Sequence, residues 1–319
     1  MTVSFSGAVR HARRGVREYG ILLAFLALFL ALSFASPTFF TQGNMVNLLD
    51  QSAIVGVLAC AATLCIISGV FDLSLSAVLT VSAIVTVQVT NHFGMAAGFT
   101  VGILVGAGLG MVNGLLVSYG KINSFIATLA TSIVYRGLAV VITGGTIVFT
   151  TSRSFTVFAH PSPVFSITDA AWLFIGVAVL SGLLLSRTTY GRALYAVGGN
   201  AEAARLSGIR TRLVTTTVMT ISGSLAATAG LIAASRTSSA EASMYTGLEL
   251  SAIAATVVGG TSILGGEGTM GRAIVGVFIL ALIGNGFNLL GINPSYQQVV
   301  QGALILLAVG ADQLVRRRR

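Results

Sequence analysis

The stretch Leu73–Gly120 reads LSLSAVLTVSAIVTVQVTNHFGMAAGFTVGILVGAGLGMVNGLLVSYG and holds no aspartate, glutamate, lysine or arginine. A helix crosses the hydrocarbon core of a bilayer with about 20 apolar residues, so this run is long enough to cross twice. Charge-free runs recur at Tyr19–Leu49, Gln51–Phe71, Leu213–Ser235 and Ala273–Ala311. Over the 319 residues, 55% are hydrophobic and 8% charged, against about 25% charged in ordinary soluble domains. That composition excludes a soluble protein, a disordered chain and a disulfide scaffold. Net charge is +9, yet the basic residues sit in short clusters between apolar runs, as in a multi-pass membrane protein, so nucleic acid is not an expected partner.

The sequence therefore predicts an all-α, polytopic integral membrane protein of about ten transmembrane helices, forming one domain over 1–319. The spans fall near Tyr19–Phe34, Val46–Ile67, Ser74–Val89, Met95–Val117, Ser124–Thr143, Ala170–Ser186, Leu213–Ala234, Leu248–Leu264, Arg272–Leu290 and Tyr296–Ala311. The first is read as a retained span, because the run after Arg17 is too long for a cleaved leader and Ala35-Ser36-Pro37 makes a poor cleavage site. Lys and Arg stay on the cytoplasmic side. With both termini inside, only Arg136, Arg153 and Arg236 of the 18 basic residues fall outside or within a span. Gly144–Asp169, with Pro161 and Pro163, is the long outer loop; Arg187–Arg212 is the long inner one.

Chemistry-bearing groups are few. Cys60 and Cys65 read as packing residues, and His11, His92 and His160 are too scattered for a metal site, so no metal, cofactor or catalytic residue is expected. Gly266-Glu267-Gly268-Thr269-Met270-Gly271 matches a dinucleotide fingerprint, but a charge-free span follows it in place of a βαβ unit, and no phosphate-cradling G-x-x-x-x-G-K-[ST] occurs. Gly259–Gly266 reads better as an interrupted helix or re-entrant turn. Glycines at 94, 98, 102, 106, 110 and 114 form a smooth stripe that lets another helix approach closely. Asp50, Arg136 and Glu249 lie at membrane depth, and ionisable groups there are costly enough to be functional candidates. Asp72 is read as a helix cap between Gly69 and Ser74. Gln51, Asn113, Asn285 and Asn288 join these charged groups as candidates for the path or its polar support.

The inner loop carries the most specific local signal. In Gly198-Gly199-Asn200-Ala201-Glu202-Ala203-Ala204-Arg205-Leu206-Ser207-Gly208, Asn200 is a plausible N-cap and Gly208 a plausible C′ residue around two helical turns. Glu202 and Arg205 then stand three apart, each at the helix end that its charge favours. A short capped helix outside the bilayer is shaped to dock in a groove on another protein.

Several of these segments together resemble the permease subunits of bacterial ABC importers of the ribose, xylose, arabinose and autoinducer-2 type. The resemblance rests on Ser68–Ser74, Asn113–Leu116, Phe125–Leu129, Tyr135–Ala139, the Gly198–Gly208 loop, Glu249–Ala255, Gly259–Ser262, Asn285–Gly291 and Tyr296–Val300. Two departures are visible: Ser251 stands where the family often has aspartate, and Val70-Phe71 replaces its Gly-Ile. The resemblance implies the type II (vitamin B12 importer-like) permease fold and a second permease copy or paralogue. It also implies a cytoplasmic ABC ATPase, commonly with tandem cassettes, and an extracytoplasmic solute-binding protein. The 187–212 segment is then the coupling loop, and the cargo a monosaccharide, polyol or similar hydroxylated solute. The rival readings are a secondary transporter driven by protons or sodium through Asp50 or Glu249, and a non-transport module such as a membrane anchor for a cytoplasmic enzyme.

Overall fold

A computed structural model describes residues 5–159, 167–293, 295–297, 299–304, 306 and 310. Among these it has eleven α-helices: α1 (Phe5–Ala35), α2 (Gln42–Ile67), α3 (Leu75–Phe93), α4 (Met95–Ser118), α5 (Ser124–Thr143), α6 (Asp169–Arg187), α7 (Thr189–Gly199), α8 (Ala201–Leu206), α9 (Thr211–Thr237), α10 (Leu248–Val258) and α11 (Met270–Leu289). Residues 295–297 and 299–304 are helical as well. Two short strands, β1 (Val148–Phe149) and β2 (Ser239–Ala240), pair antiparallel with Val148 opposite Ala240. Seven helices, α2 to α6, α9 and α11, are each long and apolar enough to cross a membrane; Gly20–Ala35 and α10 are shorter apolar helices. His160, Pro161, Pro163 and the terminal Arg316 to Arg319 lie outside the described residues.

Helix α9 runs from the end of the bundle that carries α7 and α8 to the opposite end, which carries the strand pair. Nearly every residue of α2 from Ser52 to Ile67 is buried, because α2 packs against α6, α9, α10 and α11 together. A helix apolar all round belongs at such a centre. α4 and α5 instead expose Leu104, Met111, Ile126, Ile133 and Val141, as lipid-facing helices do.

Close packing in a bilayer relies on small residues, since lipid tails compete equally for apolar side chains. Five of the stripe glycines on α4 serve that purpose: Gly98 and Gly102 meet Thr90 and Thr86 of α3, and Gly106, Gly110 and Gly114 meet Gly223, Met219 and Thr216 of α9. The sixth, Gly94, has open space around it and turns the chain between α3 and α4 at φ +85°. Cys60 and Cys65 are free thiols buried in the core.

The eighth span differs from its sequence reading. Helix α10 stops at Val258, because Gly259 caps it and Gly260 takes φ +86°. The chain also reaches α10 without helix. After β2 it descends beside α3, where the Arg136 Nη1 donates to the Ala242 carbonyl at 3.4 Å and Thr80 Oγ1 to the Met244 carbonyl at 3.0 Å. Thr80 stands thirteen residues from the Phe93 end of α3, about 20 Å at 1.5 Å per residue. The irregular stretch inside the bundle is thus 241–247, while Gly259–Gly266 is a turn at the α8 end. The span reading at 248–264 joins α10 to this glycine-broken turn, and the irregular backbone before α10 is tolerated inside a bundle because neighbouring side chains satisfy it.

Candidate translocation and coupling site

At one end of the bundle the sequence Asn200–Gly208 folds as its caps dictate. The Asn200 side chain accepts from the Ala203 amide at 2.9 Å, and Gly208 takes φ +88° just past α8. Arg205 forks onto Glu202 at 2.6 and 3.1 Å, which holds the Glu202 carboxyl below the usual carboxylate range. Ala203 and Arg205 are exposed, and so is Leu206, at 76%, an apolar side chain that the sequence reading passed over. Gly198 and Gly199 close α7, and their backbone packs on the Gly265-Gly266 turn.

Further into the bundle lies a buried polar network. Asp72 Oδ1 accepts from the Ser74 amide at 3.0 Å and the Ser74 hydroxyl at 2.6 Å, while Oδ2 accepts from the Ser222 hydroxyl of α9 at 2.7 Å. Asn113 of α4 donates to Ser74 Oγ at 2.7 Å and accepts from the Tyr135 hydroxyl of α5 at 3.1 Å. Asp72 therefore sits two residues before the α3 cap position, Ser74, and ties α3, α4, α5 and α9 where the α2–α3 turn breaks the helix. Position in the sequence suggested a cap; its tertiary partners had no periodic signal.

The charged groups at membrane depth fall in two places: Asp50 stands with Arg236, while Arg136, Glu249 and Asp72 lie close enough for their charges to interact. Asp50 pairs with Arg236 of α9 at 2.8 Å and accepts from the Thr168 hydroxyl at 2.6 Å, which fastens α2 to α9 and to the start of α6. Arg136 binds Ser76 Oγ at 2.7 Å. Glu249 stands in the first turn of α10, where the helix dipole favours an acid, and its Oε2 is buried without a hydrogen-bond partner. Asn285 exchanges two amide hydrogen bonds with Asn44, at 2.8 and 3.1 Å, linking α11 to α2.

A cavity of about 200 Å³ opens between α2, α10, α11 and the helical segment beyond 295, lined by Gln51, Ser52, Ser251, Asn288, Gln297 and Gln301 among apolar neighbours. Among the described residues no charged side chain lines it. Gln301 donates to Ser251 Oγ at 2.7 Å across one side. Of the polar candidates in the sequence, only Gln51 and Asn288 reach this cavity. Ser251, Gln297 and Gln301 complete it, the last two recurring four apart as one helical face requires.

A family of membrane transport proteins, described as branched-chain amino acid transport system / permease component, matches residues 44–309. The chain belongs to this permease family. It is 36% identical over 320 residues to the ribose import permease protein RbsC of Escherichia coli K12, covering 98% of both chains. The L-arabinose transport system permease protein AraH of the same organism is 37% identical over 306 residues, 95% of this chain and 92% of the relative. RbsC of Bacillus subtilis is 39% identical over 301 residues, 93% of each. No solved structure matches the chain. As a member of the permease family it is a transport-system component and not an enzyme.

In this permease the Asp50–Arg236 pair is only 15% and 27% exposed, so removing one partner strands the other charge. Arg236→Ala is expected to destabilise the permease by about 1–3 kcal/mol, discounted for partial exposure from the 3–5 kcal/mol of a fully buried pair. Asp50→Asn/Arg236→Ala is expected to recover part of that loss. Unfolding midpoints of the detergent-solubilised variants check it, and equal midpoints for all three chains would show that the pair is idle.

Proposed function

We propose that the chain is the membrane-spanning permease subunit of an ATP-driven ABC importer for a monosaccharide, polyol or related small hydroxylated solute. The carrying observation is near-full-length similarity to permeases named for ribose and L-arabinose. The cavity supports the same class: amides and hydroxyls exchange hydrogen bonds with a neutral polyol, whereas an anionic cargo calls for basic side chains or helix N-termini. Asp50, the first candidate for ion coupling, is engaged by Arg236 and Thr168.

In this reading residues 1–319 form one permease domain with ten spans, the shorter apolar helices Gly20–Ala35 and α10 and the segment after 295 completing the seven long ones. The fold is of the type II, vitamin B12 importer-like kind. Both termini and α8 face the cytoplasm, since that arrangement gathers the arginines inside. Residues 187–212 are the coupling loop, and α8, with Asn200, Glu202, Ala203 and Arg205 between Gly198-Gly199 and Gly208, docks on a cytoplasmic ATPase, of tandem-cassette type. A second permease copy or paralogue completes the path, and an extracytoplasmic solute-binding protein delivers the cargo. Gln51 and Asn288 line the path; Asp72, Asn113, Arg136 and Asn285 are its polar scaffold, and Glu249 sets the start of α10.

Proteoliposomes holding the permease, its ATPase and internal ATP, with the binding protein outside, test this. Uptake of a neutral sugar or polyol is expected, unaffected by a protonophore, and the purified permease alone is expected not to hydrolyse ATP. Preference for an amino acid or a sugar phosphate over every neutral sugar and polyol tried would overturn the substrate class. Collapse with the protonophore would overturn ATP coupling.

A further inference from the structure

Three breaks in the helical framework meet at one place. The α2–α3 turn contributes Ile67 and Gly69, the end of α7 contributes Gly198 and Gly199, and the α10–α11 connection contributes Gly265 and Gly266. Their backbones touch: the Gly266 amide donates to the Ile67 carbonyl at 2.9 Å. A methyl group placed on Gly265 would stand 2.8 Å from the Gly198 carbonyl oxygen and 2.9 Å from the Gly69 Cα. One placed on Gly266 would stand 2.7 Å from the Gly199 Cα. Real side chains do not fit at such separations. A side-chain tie reinforces the contact, because the Tyr195 hydroxyl of α7 donates to the Gly268 carbonyl at 2.8 Å.

This junction lies at one end of α10, and the solute cavity lies at the other. Only eleven residues form α10, and both its flanks are non-helical, 241–247 before it and 259–269 after it. Its first turns carry Leu248 and Ser251 into the cavity wall, where Ser251 receives the Gln301 hydrogen bond. A short helix between two irregular tethers, joined to α2 by Thr256, shifts as a body more readily than its long neighbours. We propose that α10 is the lever between the coupling segment and the cavity: displacement of α7–α8 passes through Tyr195 and the glycine junction into the 259–269 turn, and α10 then moves Ser251 against Gln301. The inference rests on the assignment of α8 as the ATPase-docking helix and names the positioning residues that make the docking felt: Tyr195, Gly198, Gly199, Gly265 and Gly266.

Hydrogen–deuterium exchange on the intact complex in nanodiscs, nucleotide-free against ATP/vanadate-trapped, tests it. In the native complex, exchange at 201–206 and at 247–252 is expected to respond together to trapping. Tyr195→Phe, which removes one hydroxyl and adds no bulk, is expected to keep the response at 201–206, weaken that at 247–252, and lower uptake per ATP hydrolysed about fivefold. Gly266→Ala is expected to lower it about tenfold or more, with hydrolysis retained. An unchanged response at 247–252 together with native uptake per ATP in Tyr195→Phe would overturn the lever, and holds even if Gly266→Ala fails to fold. A native complex in which 247–252 stays silent while 201–206 responds would also overturn it. If 201–206 itself does not respond in the native complex, it is the docking assignment that falls, and the lever with it.

Discussion

Asp72→Ala is expected to leave little folded permease, while Asp72→Asn folds and unfolds only a few degrees earlier. The alanine variant removes the acceptor of three hydrogen bonds, from the Ser74 amide, the Ser74 hydroxyl and the Ser222 hydroxyl. Each buried donor left without a partner costs about 1–3 kcal/mol, so the loss is on the order of 4 kcal/mol once the serine hydroxyls have turned to whatever acceptors remain. That is a large part of the roughly 5–15 kcal/mol that holds a folded protein together. The damage also spreads, because Ser74 Oγ anchors Asn113 and Asn113 anchors Tyr135, so α4 and α5 lose their registration on α3. Asparagine keeps Oδ1 for the Ser74 amide, and Ser222 can accept from its amide group in place of donating. Fluorescence-detected size exclusion of the tagged chains, with unfolding midpoints, reads the difference. Equal peaks for Asp72→Ala and the native chain would show that the network is not a structural keystone.

Why some of this architecture is legible in the sequence and some is not follows from which forces leave a periodic trace. Transfer to lipid leaves a long charge-free run, so α5 lies at Ser124–Thr143 in both the sequence reading and the structure, and α4 and α6 differ by a residue at most. Local capping leaves a short motif, so α8 between Asn200 and Gly208 is equally visible. Tertiary hydrogen bonds leave no pattern. The partnership of Asp50 with Arg236, separated by 186 residues, had no local sign; Asn113 and Asn285 looked like any polar group in an apolar run, and Asp72 like a local cap. Packing separates them from Gln51 and Asn288: the first three have their polar groups held by protein, the other two open to a cavity. The approach to α10 was hidden for a related reason, since 241–247 has the polar composition of a surface loop yet enters the bundle, where Arg136 and Thr80 donate to its carbonyls.

Glu202→Arg is expected to lower uptake by more than tenfold while the permease folds and inserts normally. The stability side of that contrast follows from exposure. Glu202 and Arg205 are 65% and 61% exposed, and a pair so open to water contributes little to stability. Adding an arginine at the positive end of α8 costs a small amount more, screened by solvent, and the Asn200 cap remains. Neither amount unfolds a multi-helix bundle. A helix whose only task is to connect α7 to α9 therefore tolerates the change, whereas a helix that fits a charged groove does not, because like charges set against each other in an interface cost several kcal/mol. The exchange Glu202→Arg/Arg205→Glu separates the two cases further. It restores an ion pair within α8 with its charges inverted, so a purely structural pair is rescued by it and a docking surface is not. Co-purification of the ATPase and uptake at fixed internal ATP, measured on the single and double variants, decide between them: native uptake in Glu202→Arg, or full rescue in the exchange, would remove α8 from the ATPase interface.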